Sequence, residues 1–152
     1  MSERPGPPGR GEFVVWRRAT TRWADDDAYG HLNNARYYEL FDTAVNAHLF
    51  EATGLNVRAL PAIGIVAETS CRYFREIGFP APIDMGLVVD RVGTSSVVYR
   101  IGLFQGESDL AAAEGCFVHV YVDGSGAPGE RPVRPIPDQV RAVIEPLVRT
   151  IA

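Results

Sequence analysis

The chain has 152 residues, 46% of them hydrophobic and 22% charged, and its formal net charge is -4. That length fits one domain with a core of useful size, and the composition is that of a globular protein rather than a disordered or fibrous one. The net negative charge gives no electrostatic help to nucleic-acid binding, and no apolar run approaches the ~18 residues of a membrane span.

Residues 1–11 are polar, rich in Pro and Gly, and lack the apolar core of a signal peptide. They predict a disordered tail ahead of a single domain over residues 12–152, in a cytoplasmic setting. Glu12 to Trp23, rich in Val, Thr and Trp, reads as a strand. Asp25 to Asn34 is a polar loop. A helix follows from about Ala35 to Thr53, with Asn33 or Asn34 as its cap and Gly54 as its C-terminal glycine. Its apolar stripe is Tyr37, Leu40, Phe41, Ala44 and Val45, extended by Leu49 and Ala52.

The rest is nearly all strand. Ala62 to Arg75 alternates, with Ile63, Ile65, Ala67, Thr69, Cys71 and Tyr73 predicted on one face. Strands are expected over Ile83–Val92, Ser95–Phe104 and Leu110–Val122, with Gly115 a candidate bulge. A Gly- and Pro-rich loop leads to a terminal helix over Asp138–Ile151. One strand, one long apolar helix and four more strands imply an α+β layer structure, an antiparallel five-stranded sheet wrapped around a long central helix. The two cysteines, Cys71 and Cys116, have no metal-ligand spacing and read as small buried hydrophobes.

The chemistry concentrates between Asp25 and Tyr37. Three consecutive carboxylates, Asp25, Asp26 and Asp27, stand just ahead of a helix N-terminus, which offers unpaired N–H groups and partial positive charge. A carboxylate there can attack a carbonyl carbon or activate water, while the helix end holds the developing oxyanion. Taken alone, the same residues also describe a solvated acidic turn.

The segment Asp25-Asp26-Asp27-Ala28-Tyr29-Gly30-His31-Leu32-Asn33-Asn34-Ala35-Arg36-Tyr37 resembles the Asp-x-Asp-x-x-Gly-His-(Val/Leu)-Asn-Asn-x-x-Tyr pattern of the 4-hydroxybenzoyl-CoA thioesterase-like branch of hotdog-fold proteins. The resemblance implies hydrolysis of an acyl-CoA thioester by a homodimer or homotetramer whose active site crosses the subunit interface. It implies Asp27 as nucleophile or general base, the backbone N–H of Asn34 as oxyanion donor, and Asp25 as a structural residue. Gly30, His31, Asn33 and Tyr37 would line the substrate site, and Asp26, in the variable position, would face solvent.

Two further residues enter as substrate-binding candidates. Glu68 sits mid-strand, where it can face solvent or line a shared pocket. Arg91 is the one basic residue in the turn Asp90–Ser96, where aryl-CoA relatives carry phosphate-binding cations; Arg72, Arg75 and Arg131 are alternatives, and an acyl-carrier-protein substrate is a further one. His31 can serve as a base or hydrogen-bond the loop, while His48 and His119 read as packed residues. Three scattered histidines and the absence of a Gly-rich phosphate loop predict no metal and no organic cofactor. The rival functions are a hotdog protein that binds acyl thioesters without cleaving them, and an enoyl-thioester hydratase.

Overall fold

The computed structural model describes residues 5–149. Five antiparallel strands form one sheet: β1 (Val15–Ala19), β2 (Ala62–Tyr73), β3 (Ile83–Val92), β4 (Ser96–Gln105) and β5 (Ala113–Asp123), in the order β1-β3-β4-β5-β2. A 20-residue helix, α1 (Asn34–Thr53), packs on the inner face of this sheet, and a short helix, α2 (Asp138–Ile144), packs against α1. This is the hotdog arrangement that the sequence implied.

The ends of α1 follow from its sequence. The Asn33 side chain accepts the Ala35 N–H at 2.9 Å, and Gly54 adopts the left-handed conformation (φ 67°) that closes a helix. Its buried stripe is Tyr37, Leu40, Phe41, Ala44, Val45 and Leu49, whereas Ala52 is exposed. Each large side chain buried in this way contributes about 1.5–3 kcal/mol. The stripe meets the inward residues of the sheet, among them Leu87, Tyr99, Ile101 and Phe117, in one continuous core.

Several boundaries differ from the sequence reading. Residues 8–12 are docked rather than forming a free tail: Ala111 N–H donates to the Pro8 carbonyl at 2.9 Å, and Arg10 N–H to that of Asp109 at 3.0 Å. Phe13 then buries itself with Val88, Phe104 and Ala111 in a second, smaller cluster. Of the predicted tail, residues 1–4 lie outside the described residues. The terminal helix stops at Ile144 and gives way to a 3-10 turn carrying Pro146, whose ring cannot continue an α-helix.

A register shift between Val66 and Glu68 breaks the predicted alternation of β2. Residues paired across an antiparallel ladder share a face. Thr69, Cys71 and Tyr73 share one face as expected, pairing with Phe117, Gly115 and Ala113 on the side of α1. Before the bulge the phase reverses: Gly64 and Val66 pair with buried Tyr121 and His119, which turns Ile63 and Ile65 to the other face. Gly115 is no bulge. It pairs regularly with Cys71 and Ile101, and its missing side chain makes room for Phe41, whose Cε2 would lie 2.5 Å from a Cβ at that position.

Candidate active site

The loop from Arg22 to Asn33 is held from within. Asp25 is 3% exposed. Its Oδ1 accepts from Arg22 Nε and Nη2 at 3.0 and 2.8 Å, its Oδ2 from the Arg22 backbone N–H at 2.8 Å, and Arg36 Nε lies 3.4 Å from Oδ1. Burial raises the pKa of this carboxyl, but the hydrogen bonds and charges of Arg22 and Arg36 outweigh it and leave a net lowering. The Asp25 carbonyl in turn accepts the Asn33 N–H at 2.8 Å, so this residue sets where the helix begins.

Asp26 does not simply face solvent. Its Oδ1 accepts the Phe79 N–H at 3.1 Å, and Leu32 N–H donates to the Ile77 carbonyl at 2.8 Å. Two contacts thereby fasten the acidic loop to the segment between β2 and β3.

Asp27 is turned the other way. Its Oδ1 accepts the Tyr29 N–H at 2.8 Å, while its backbone pairs with His31 in a tight turn that Gly30 completes with φ 85°. Asp27 lines a cavity of about 360 Å³ together with His31, Leu32, Asn34, Tyr37 and Tyr73, with Phe74, Arg75 and Glu76 completing the wall. His31 Nδ1 lies 4.0 Å from Asp27 Oδ1, and its Nε2 is 3.4 Å from Glu76 Oε1. Asn34 is the first residue of α1, where a backbone N–H has no acceptor within the helix. Its side chain is held by the Tyr73 hydroxyl, and Tyr73 stands edge-on to Tyr37 with ring centroids 4.9 Å apart.

Of the residues singled out from sequence, Asp27, His31, Asn34 and Tyr37 therefore share one cavity. Gly30 shapes the turn that presents Asp27, and Asn33 caps the helix. Glu68 and Arg91 are elsewhere. Glu68 pairs with Val118, Val118 with Val98, and Val98 with Arg91, one row across the outer face of the sheet, away from α1. Neither lines the Asp27 cavity, and the irregularity at Val89/Arg91 turns Arg91 to the outer face. Reading the sequence missed Tyr73 and Glu76 and offered Arg75 only as an alternative. The available signal was the aromatic and charged run Tyr73-Phe74-Arg75-Glu76 at the end of a strand.

Neither thiol is poised as a nucleophile. Burial pushes Cys71 up to about 11 and raises Cys116 as well. His48 is half-buried and donates to the Val143 carbonyl at 3.0 Å. Among the described residues no group of three or more His, Cys, Asp or Glu side chains could hold a metal ion, and no helix is long and apolar enough to cross a membrane.

Comparison with known proteins finds the same fold. The PA5185 protein of Pseudomonas aeruginosa is 40% identical in sequence, with a TM-score of 0.88 over 96% of this chain and 99% of that one. A 1,4-dihydroxy-2-naphthoyl-CoA thioesterase from Synechocystis shares the fold at 15% identity, with a TM-score of 0.75 over 87% and 96% of the two chains. A 4-hydroxybenzoyl CoA thioesterase mutant complexed with 4-hydroxybenzoyl CoA does so at 9% identity, with a TM-score of 0.73 over 85% and 96%. No curated protein sequence matches. The model of the thioesterase-like superfamily matches residues 21–144, and the chain belongs to that superfamily.

Proposed function

We propose that this protein hydrolyses an acyl-CoA thioester, with Asp27 acting on the carbonyl and the Asn34 backbone N–H receiving the oxyanion. The observation that carries the reading is that Asp27 lines a cavity whose wall also holds the first residue of a 20-residue helix. The helix end supplies a fixed donor and partial positive charge where negative charge develops. Asp27 either takes a proton from the water that adds to the carbonyl carbon, or adds itself and is released by water. In both routes the C–S bond breaks, the sulfur leaves as thiolate and gains a proton, and a carboxylate and a free thiol result. Tyr73, bonded to the Asn34 side chain, steadies the helix start. Arg75, on the cavity wall with Nη2 donating to the Gln105 carbonyl at 2.6 Å, would be the cation nearest the phosphates of a CoA, and Arg91 of the outer face is the other candidate.

The working unit in this reading is a homodimer or a homotetramer. β2 is a 12-residue edge strand carrying exposed Ile65, Val66 and Tyr73. A long apolar edge calls for a partner strand, and a second β2 laid against it would close the cavity that Tyr73 borders.

The test is steady-state release of free thiol from a panel of acyl-CoAs by wild type and Asp27→Asn. The variant should lose at least ~10²-fold in kcat, the low end for removing a general acid–base group, with its circular dichroism unchanged. Near wild-type turnover by Asp27→Asn would refute the assignment.

A further inference from the structure

A second cavity, of about 280 Å³, lies beside the C-terminal half of α1, away from Asp27. Leu49, Phe50, Val57, Leu60, Tyr121 and Val140 make its walls largely apolar. Arg58 is exposed at its rim, with the guanidinium over the Phe50 ring at 5.7 Å. Asn46 also lines the cavity, and its buried imidazole is His119, on the inner face of β5 and only 3% exposed. Phe117, Tyr99 and Tyr121 stand edge-on around its imidazole, with centroids at 5.0, 5.8 and 6.3 Å. Gly64 lets the strand pack close against the ring, since a Cβ there would lie 2.9 Å from Nδ1.

Nδ1 of His119 is buried and has no hydrogen-bond partner among the described residues, and neither has the neighbouring Tyr99 hydroxyl. Buried polar side chains are nearly always satisfied, by protein, water or ligand. Plain packing would be better served by Phe or Leu at residue 119, and the chemistry at Asp27 does not use this histidine. Burial pushes its pKa down to about 4, so at neutral pH the ring is uncharged and offers one donor and one acceptor. An uncharged imidazole in apolar walls selects against a buried carboxylate and suits a hydroxyl, which can donate or accept to match either tautomer.

We propose that this cavity binds a compact, mostly apolar group bearing one hydroxyl, which His119 recognises by a hydrogen bond, with any anionic end of the molecule left outside near Arg58. The group is either the far end of the substrate's acyl part, which rests on the thioesterase reading, or part of a separate small molecule, which does not.

The probes are 3-(4-hydroxyphenyl)propanoate and 3-phenylpropanoate, which differ by one hydroxyl, titrated into the full chain by calorimetry. The hydroxylated acid should bind about tenfold tighter, the scale of one neutral buried hydrogen bond. That advantage should disappear in His119→Phe, which keeps an aromatic ring among its neighbours, and should persist in Asp27→Asn. The imidazole ¹⁵N resonances of His119 should shift with the hydroxylated probe alone. Competitive inhibition of turnover would identify the cavity as the acyl end of the substrate site, and non-competitive inhibition a separate effector site; both uphold the binding. Equal affinity for the two acids in wild type, no saturable binding up to millimolar concentration, or an advantage that survives His119→Phe overturns the proposal. Binding that persists in a protein with no thioesterase activity would refute the hydrolytic reading and leave this one standing.

Discussion

Lowering the pH from 7 toward 4 should unfold this protein partly through His119. The imidazole is buried among aromatic rings, and burial alone brings its pKa from 6.5 to about 4. In the unfolded chain the ring is hydrated and takes a proton near 6.5; in the folded protein it resists until about 4. Between those values the unfolded state binds more protons, so stability falls as the pH falls. Above the unfolded value both states are neutral, and the full contribution is present. Below about 4 both are protonated, and it is gone. At pH 4.5 the linkage amounts to about 2–3 kcal/mol, a large share of the ~5–15 kcal/mol that holds a domain together. Asp25, Asp84 and Asp123, whose pKa values are lowered from 3.8, lose their contributions at lower pH still. The assay is urea denaturation at pH 7.0 and 4.5, for wild type and His119→Phe. Wild type should lose about 2–3 kcal/mol more than the variant. Equal losses would mean that His119 is hydrated or paired in the folded protein, and would refute the reasoning.

Gly115→Ala should cost about 1–3 kcal/mol in a thermal or urea melt, because the new methyl would meet the Phe41 ring at 2.5 Å in a packed core. Light scattering at micromolar concentration should give two or four times the 16.6 kDa chain mass; a stable monomer would remove the shared cavity from the proposed function.

The long helix was legible because its signals are local. Asn33, Gly54 and a stripe at helical spacing lie within one stretch of chain, and each does in the structure what its residue type favours. The sheet was legible in outline, since alternation and turns mark strands. Its details were not, because a bulge is set by pairing with a distant strand. Nothing around Val66 announces that two residues there oppose one residue of β5, yet that step turns Ile63 and Ile65 to the outer face. The irregularity at Val89/Arg91 likewise sets the face that Arg91 takes, and no local signal shows it. Gly115 was noticed but misread: a glycine in a strand fits a bulge and a close approach equally well until the partner, Phe41, is known. The far wall of the Asp27 cavity comes from the end of β2, some forty residues on in sequence, and only the antiparallel sheet brings Tyr73 to Asn34.

The three consecutive aspartates carry the same side chain into three different situations, and the difference lies in what each carboxylate meets. Asp25 is saturated by Arg22 and Arg36 and is nearly inaccessible, so it can fix the loop but cannot reach a substrate. Asp26 receives the Phe79 N–H and ties the loop to the segment after β2. Asp27 accepts the Tyr29 N–H within its own turn and lines the cavity. A nucleophile or base needs both conditions at once, since a carboxylate that is fully paired has lost its basicity and one that is not anchored is rarely in position. Asp27 satisfies both because its neighbours do the anchoring. The Asp25 contacts set the start of α1, the Asp26 contact sets the depth of the loop, and Gly30 turns the chain so that Asp27 and Asn34 border one space. The acidic run that could equally have been a solvated turn is thereby divided into two residues that build and one that is presented.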